Sequence, residues 1–289
     1  MIGPRGRVAL VTGAGQGLGR AHARMLAEAG FALVLNDIDP AAADDVVDEI
    51  SAMGARAVAL AGDASLMETA ERMVAESLRN FDRVDAVIAN AGYLRDRSFN
   101  KMGADDFDAM IAIHLRGAFN LCKAAWAPMR AAGHGRIVLT TSTSALFGQF
   151  GQANYDAAKL GVVGLMNALK LEGERHDIRV NTVAPLAASR LAETVFPPEA
   201  LRRMDPRWVA AVVVYLASPE CVDNGGIFQV GAGRLSRVRL VVDGEVSLPG
   251  TCLTSAAEMA QTLGELAAQP AVPHIFASAP EAVMHMLRD

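Results

Sequence analysis

Thr12-Gly13-Ala14-Gly15-Gln16-Gly17-Leu18-Gly19-Arg20 stands directly after the apolar run Val8 to Val11 and opens an amphipathic segment that lasts to Gly30. Strand, glycine turn and helix in that order make a phosphate cradle. The glycines let the backbone turn sharply and approach a pyrophosphate, and the helix N-terminus faces its charge. The spacing places Gly13, Gln16, Gly17, Leu18 and Gly19 against a dinucleotide.

Outward from this stretch, short apolar runs at Ala32 to Leu35, Ala57 to Leu60, Ala86 to Ile88, Ile137 to Leu139 and Arg179 to Val183 alternate with helix-length segments. Strands apolar on both faces and separated by helices imply a parallel sheet covered on both sides. The expected fold class is therefore α/β, a Rossmann-type doubly wound parallel sheet with helices on both faces. In such sheets chemistry gathers beyond the carboxyl ends of the strands. The second strand ends in Leu35-Asn36-Asp37, which sets a carboxylate where the adenosine ribose hydroxyls would lie. With Ile38 next and no basic residue in the glycine loop to meet a 2′-phosphate, the cofactor expected is NAD. A cap on the turn before Pro40 is the plainer role for Asp37. The third strand ends at Gly62-Asp63-Ala64 and the fourth at Ala89-Asn90-Ala91-Gly92. Asp63, Ala64, Asn90, Ala91 and Gly92 join the expected cofactor contacts, although Asp63 capping the next helix and Asn90 tying strand ends are equal alternatives.

The remaining chain bounds the function. At 289 residues, 52% hydrophobic and with net charge -5, it supplies one large core and no basic stripe for nucleic acid. No stretch reaches the ~20 apolar residues of a membrane span, and no signal-peptide core is present, so a cytoplasmic protein is expected. The final residues form no peroxisomal address. Cys122, Cys221 and Cys252 lack histidines at metal-ligand spacing and read as reduced structural thiols, with no metal expected. Beyond Gly233 the pattern changes. Residues 1–233 form the expected main domain, and 234–289 a small α+β tail. There Arg237 to Val242 and Glu245 to Leu248 flank an Asp243-Gly244 turn as a hairpin, Ser255 and Glu258 make a capping box for a helix to about Ala268, and Pro280 opens a last helix.

A strand end at Ile137-Val138-Leu139 runs into Thr140-Thr141-Ser142, and a helix carrying Tyr155 and Lys159 follows. The offset 159 − 155 = 4 puts both side chains on one helix face. An ammonium beside a phenol favours phenolate, so Tyr155 is expected to have a lowered pKa. Such a pair alone is usually surface decoration; the serine at a strand end changes the weighting.

Together, Thr-Gly-x-x-x-Gly-x-Gly, Asn-Ala-Gly, a serine thirteen residues before the tyrosine (155 − 142 = 13) and Tyr-x-x-x-Lys resemble the short-chain dehydrogenases/reductases over about residues 5–233. The resemblance implies that Ser142 holds the substrate oxygen, Tyr155 transfers the proton, and Lys159 binds the nicotinamide ribose and tunes Tyr155. It also places Asn181 and Pro185 in the segment lining the nicotinamide pocket. The family's usual fourth catalytic residue, an asparagine, is here His114. Asn90 to Ser98, His114 to Gly117, Phe150 to Gly161, Asn224 to Gly226 and Val230 to Gly233 are similar to the dehydrogenase units of type 2 peroxisomal multifunctional enzymes, which share that histidine. His114 acts there through its backbone carbonyl or its ring, unless it merely packs. The implied reaction is oxidation of (3R)-3-hydroxyacyl-CoA to 3-ketoacyl-CoA by a free-standing unit. The alternative is a 17β-hydroxysteroid or other bulky secondary alcohol, since Leu146, Phe147, Leu186 and Val195 would build an apolar pocket for an acyl chain or a ring. The covering loop departs from the relatives at Pro185 to Arg190. Arg95, Arg97 and Lys101 are candidates for coenzyme A phosphates, or else ordinary surface charges. A non-catalytic NAD-binding protein is the other class open to this fold, and the intact Ser142, Tyr155 and Lys159 argue against it. The helical stretches 103–130 and 153–175 carry apolar faces that in this family form subunit contacts, so a homodimer or homotetramer is expected, with the tail crossing to a neighbour.

Overall fold

The computed structural model describes residues 6–187, 201, 203–246, 248, 255–269 and 273–286. The six expected strands are present as β1 (Val8–Thr12), β2 (Ala32–Asp37), β3 (Ala57–Ala61), β4 (Ala86–Ala89), β5 (Gly135–Thr140) and β6 (Ile178–Leu186), and β7 (Ile227–Gly231) and β8 (Arg234–Val238) extend the same sheet. Their order is β3-β2-β1-β4-β5-β6-β7-β8, and every pairing from β3 to β7 is parallel. The order reverses between β1 and β4. Their carboxyl ends, Thr12 and Ala89, therefore border the crevice where ligands of doubly wound sheets bind.

The first strands are buried along their length, since each helix layer covers one face of the sheet. Helix α1 (Gly17–Glu28) buries Gly19, His22, Ala23, Leu26 and Ala27, a stripe at helical period, against this layer. Asp39 caps α2 (Pro40–Ala52) by accepting from the amides of Ala41 and Ala42, a contact typically worth about 1 kcal/mol. Helix α3 (Met67–Phe81) packs on α5 (Gly117–Ala132). Between α4 (Ala104–Met110) and α5, residues Ile111–Arg116 form a widened π-helical turn that carries His114, and such turns recur at functional sites. The short α6 (Thr143–Phe147) and the long α7 (Ala153–Gly173) follow β5, and α8 (Arg207–Ala217) packs on α1.

The chain divides into two compact units, residues 1–237 and 238–289. The first runs past the boundary expected at 233 because β8 belongs to the main sheet. Ala232 and Gly233, both at positive φ (51° and 73°), make the two-residue connection from β7, and positive φ at both central residues suits a tight hairpin. The expected tail hairpin is accordingly not formed. Val238 ends β8, and β9 (Val242–Asp243) pairs instead with β10 (Pro273–His274) thirty residues further on. Turn chemistry shows only the neighbouring run, whereas pairing is decided by whichever edge is free. The second unit also holds α9 (Ala256–Ala268), whose Ser255–Glu258 capping box is in place, and α10 (Ala279–Met286). No described residue of this unit is buried.

Candidate active site

Gly13 and Gly17 adopt positive φ, and a Cβ on Gly19 would lie 1.8 Å from the Gly13 carbonyl oxygen, so α1 sits directly on the turn. Gln16 caps α1 with no side-chain bond, and the first turn carries no acidic residue. The N-terminal amides and the positive end of the helix dipole are thus left for an anion, which fits a dinucleotide pyrophosphate. Both oxygens of Asp37 are engaged, one by the glycine loop and one by the turn after β2. Oδ2 accepts the Gly15 amide at 2.8 Å and Oδ1 the Asp39 amide at 3.1 Å. The carboxylate is held in one orientation at the strand end. Asn90 does tie strand ends: its Nδ2 donates to the carbonyls of Thr12 and Gly13, while Thr12 Oγ1 accepts the amides of Asn90 and Ala91. Thr12 is a site residue to which the sequence analysis assigned no role. Asp63 accepts the Ser65 amide at 2.8 Å, a local turn ahead of α3, and it does not cap that helix, whose N-cap is Leu66 without a side-chain bond.

Two of the catalytic candidates, His114 and Lys159, meet these residues. Thr12, Ala64, Ala89, Ala91, Ile113, His114, Gly117, Ala118 and Lys159 line one small cavity. Lys159 is 3% exposed, and its Nζ donates to the Thr140 carbonyl at 2.7 Å. Thr141 Oγ1 in turn donates to the Lys159 carbonyl at 2.8 Å, locking β5 to α7. Burial lowers the Lys159 pKa to about 7. Ser142 caps α6, its Oγ accepting the Ser144 amide and lying 2.8 Å from Ser144 Oγ. The expected lowering of the Tyr155 pKa is not what the structure shows. Burial pushes the phenol above its ordinary value, and the negative charges of Asp156 and Asp96 add to that, while the hydrogen bond with Ser142 draws it down. The Lys159 ammonium lies 5.7 Å from the Tyr155 ring and is spent on the Thr140 carbonyl. A charge that is itself desolvated and already paired stabilises a distant phenolate little.

His114 is buried, and its ring meets Tyr155 edge-on with centroids 4.9 Å apart. Its Nε2 lies 2.8 Å from the Tyr93 carbonyl. A carbonyl only accepts, so Nε2 carries the proton and Nδ1, buried and without a hydrogen bond, keeps a free lone pair. Burial, then the Lys159 charge, lowers its pKa to about 3, so the ring is neutral. Gly92 makes room for it: a Cβ there would lie 2.1 Å from His114 Cε1.

Pro185 and Asn181 both fall within β6, which is longer than expected. Pro185 is paired with Val230 near the ligand edge. Asn181 is buried, donating to the Asp223 carbonyl and accepting the Gly226 amide, so it stitches β6 to a turn and does not reach the pocket. Phe147 is 68% exposed and Leu186 37% exposed, Leu146 is half-buried, and Val195 lies outside the described residues. Arg97 pairs with Asp106 at 3.0 Å and Arg95 lies 4.0 Å from it, so a phosphate would compete with that carboxylate. Cys122 and Cys221 are free and buried; Cys252 is outside the described residues. Among the described residues no three His, Cys, Asp or Glu side chains group as a metal would need, and no helix is long and apolar enough to cross a membrane.

A doubly wound sheet with an uncapped, glycine-wrapped helix terminus, together with a buried Lys159 and the partly buried Tyr155 and Ser142, defines an oxidoreductase of the dinucleotide-binding class. The short chain dehydrogenase family model matches residues 7–194, and the chain belongs to this family, which typically binds NAD(P). It is 45% identical over 243 residues to the mouse peroxisomal multifunctional enzyme type 2, covering 81% of this chain but only 33% of that enzyme. The resemblance to those dehydrogenase units is thereby borne out. A hydroxyacyl-CoA dehydrogenase of Mycobacterium tuberculosis is 42% identical over 246 residues, 78% of this chain and 77% of the relative. The crystal structure of a short chain dehydrogenase from Mycobacterium avium superposes with a TM-score of 0.83 at 36% identity, covering 94% of this chain and 98% of that one.

Proposed function

We propose that the protein oxidises a secondary alcohol with NAD, the substrate being a (3R)-3-hydroxyacyl-CoA and the product the 3-ketoacyl-CoA. The observation that carries this is the single cavity in which Thr12, Ala64 and Ala91 of the dinucleotide edge meet His114 and Lys159. Bound nicotinamide supplies the hydride acceptor. The chain's own residues do the rest. Ser142 steadies the substrate oxygen, and Tyr155 takes the hydroxyl proton as general base. Lys159, neutral or charged near pH 7, exchanges that proton on the cavity side. Asp37 at the ribose edge supports NAD over NADP. The acyl-CoA assignment rests on the names of the multifunctional and hydroxyacyl-CoA relatives.

A substrate panel tests it: a (3R)-3-hydroxyacyl-CoA, its free acid and estradiol, each with NAD and NADP. The expected result is turnover of the thioester with NAD and at least tenfold less with the others, because the CoA moiety contributes binding the free acid lacks. Equal rates on the free acid would sink the CoA assignment, and a preference for estradiol would favour the steroid reading.

The same proposal includes a homo-oligomer. Phe119, Leu160 and Leu171 are each nearly half exposed on α5 and α7, and Ile111, Leu115, Phe119 and Leu165 line a shallow apolar groove beside Arg116 and Asn120. A second copy of this face is the expected cover. Light scattering should show a dimer or tetramer, and Phe119→Asp should reduce it to monomer; a wild-type monomer at micromolar concentration would overturn this.

A further inference from the structure

Asn154, the residue before Tyr155, is completely buried, and its amide is fully used. Nδ2 donates to the Arg95 carbonyl at 3.1 Å and to the Asp106 carbonyl at 3.0 Å, and Oδ1 accepts the Tyr155 amide at 2.8 Å. The Tyr155 N–H is one of the first-turn donors that a helix leaves without an intrahelical partner. One side chain thus ties the start of α7 to α4 and to the segment that follows Asn90-Ala91-Gly92. Two neighbouring ties run alongside: the Arg97 amide donates to the Gly151 carbonyl at 2.9 Å, and Gln152 Nε2 donates to Asp96 Oδ2 at 2.8 Å. The same segment supplies the Tyr93 carbonyl that holds His114, whose ring in turn lies against Tyr155. The Tyr155 backbone and its ring neighbour are therefore both referred to residues 93–95.

We infer that Asn154 is a positioning residue for proton transfer: it sets where the Tyr155 hydroxyl stands relative to Ser142 by joining the Tyr155 amide to the 93–106 segment. The inference rests on Tyr155 being the proton-transfer residue. The groups around the phenol are Ser142 at the cap of α6, Asp156 and Lys159 from α7, Asp96 from the tied segment and neutral His114 from the π-helical turn. Releasing the helix start alters the distance to each of them and opens the buried seat that holds the phenol's pKa up.

Asn154→Ala removes all three bonds. Asn154→Asp keeps an acceptor for the Tyr155 amide but sets oxygen against two carbonyls. Two measurements need no substrate: titration of the protein labelled with 13C at the tyrosine Cζ, where Tyr93 and Tyr215 serve as references, and NADH binding. We expect both variants to bind NADH within threefold of wild type and to titrate Tyr155 at lower pH than wild type. With an accepted alcohol, kcat should fall by about ten- to a hundredfold, the loss a displacement of about 1 Å produces, and Asp should be no better than Ala. Wild-type titration and kcat in the folded Ala variant, even with a lowered melting temperature, would overturn the inference. If the Ala variant does not fold, Asn154→Ser is judged by the same two readouts. The titration decides the matter even when every alcohol in the panel is refused, so the two proposals fail separately.

Discussion

Tyr155→Phe is expected to lower turnover by about a thousandfold while leaving NADH binding within several-fold of wild type. The phenol oxygen is the atom removed. The ring stays, and with it the edge-on contact with His114. No dinucleotide-loop residue hydrogen-bonds that oxygen among the described residues, which is why binding is spared. The pH dependence has a defined sign. In the oxidising direction the phenol must lose its proton before it can take one, and burial raises its pKa. The rate should therefore rise with pH toward the alkaline side, and this rising limb should be absent from the residual activity of the Phe variant. Steady-state kinetics across pH with fluorescence titration of NADH checks both parts. Undiminished turnover would remove Tyr155 from the chemistry.

Gly19→Ala is expected to abolish dinucleotide binding, with a loss of at least a hundredfold in affinity. Propensity alone argues the opposite, since alanine inside a helix is favoured over glycine by about 1 kcal/mol. Sterics decide the sign. The added Cβ would sit 1.8 Å from the Gly13 carbonyl oxygen, 2.7 Å from its carbonyl carbon and 2.9 Å from Asn90 Nδ2. These atoms are backbone, or an amide already bonded to that turn, and none can swing aside. The start of α1 would have to lift from β1, taking its amides away from the pyrophosphate. Gly17→Ala provides the contrast: nothing lies within 4 Å of its Cβ, and only its φ of +55° is penalised, at about 1–2 kcal/mol. Thermal melts should rank Gly19→Ala well below Gly17→Ala, and calorimetry with NADH should detect binding only in the latter. Near-native affinity in Gly19→Ala would show that the close seating of α1 is dispensable.

The fold and most of the candidate site could be read from the chain because their determinants are local. A glycine turn between a strand and a helix, apolar runs of strand length, and a tyrosine and lysine four residues apart each act through backbone geometry over a few residues. The strand ends then share one sheet edge by the rules of parallel pairing, so Thr12, Asp37, Ala64, Asn90 and Ser142 fall along that edge without further information. Tertiary structure alone decided what depends on distant partners. Lys159 spends its ammonium on the Thr140 carbonyl, and the phenol of Tyr155 is pushed up and not down, because burial acts on both and cannot be seen in a spacing. Asn181 serves a turn, β9 pairs with β10, and Asn154 reaches the carbonyls of Arg95 and Asp106 across 59 and 48 positions of sequence. Spacing names the groups that do the chemistry; packing sets the field and the hydrogen bonds under which they do it.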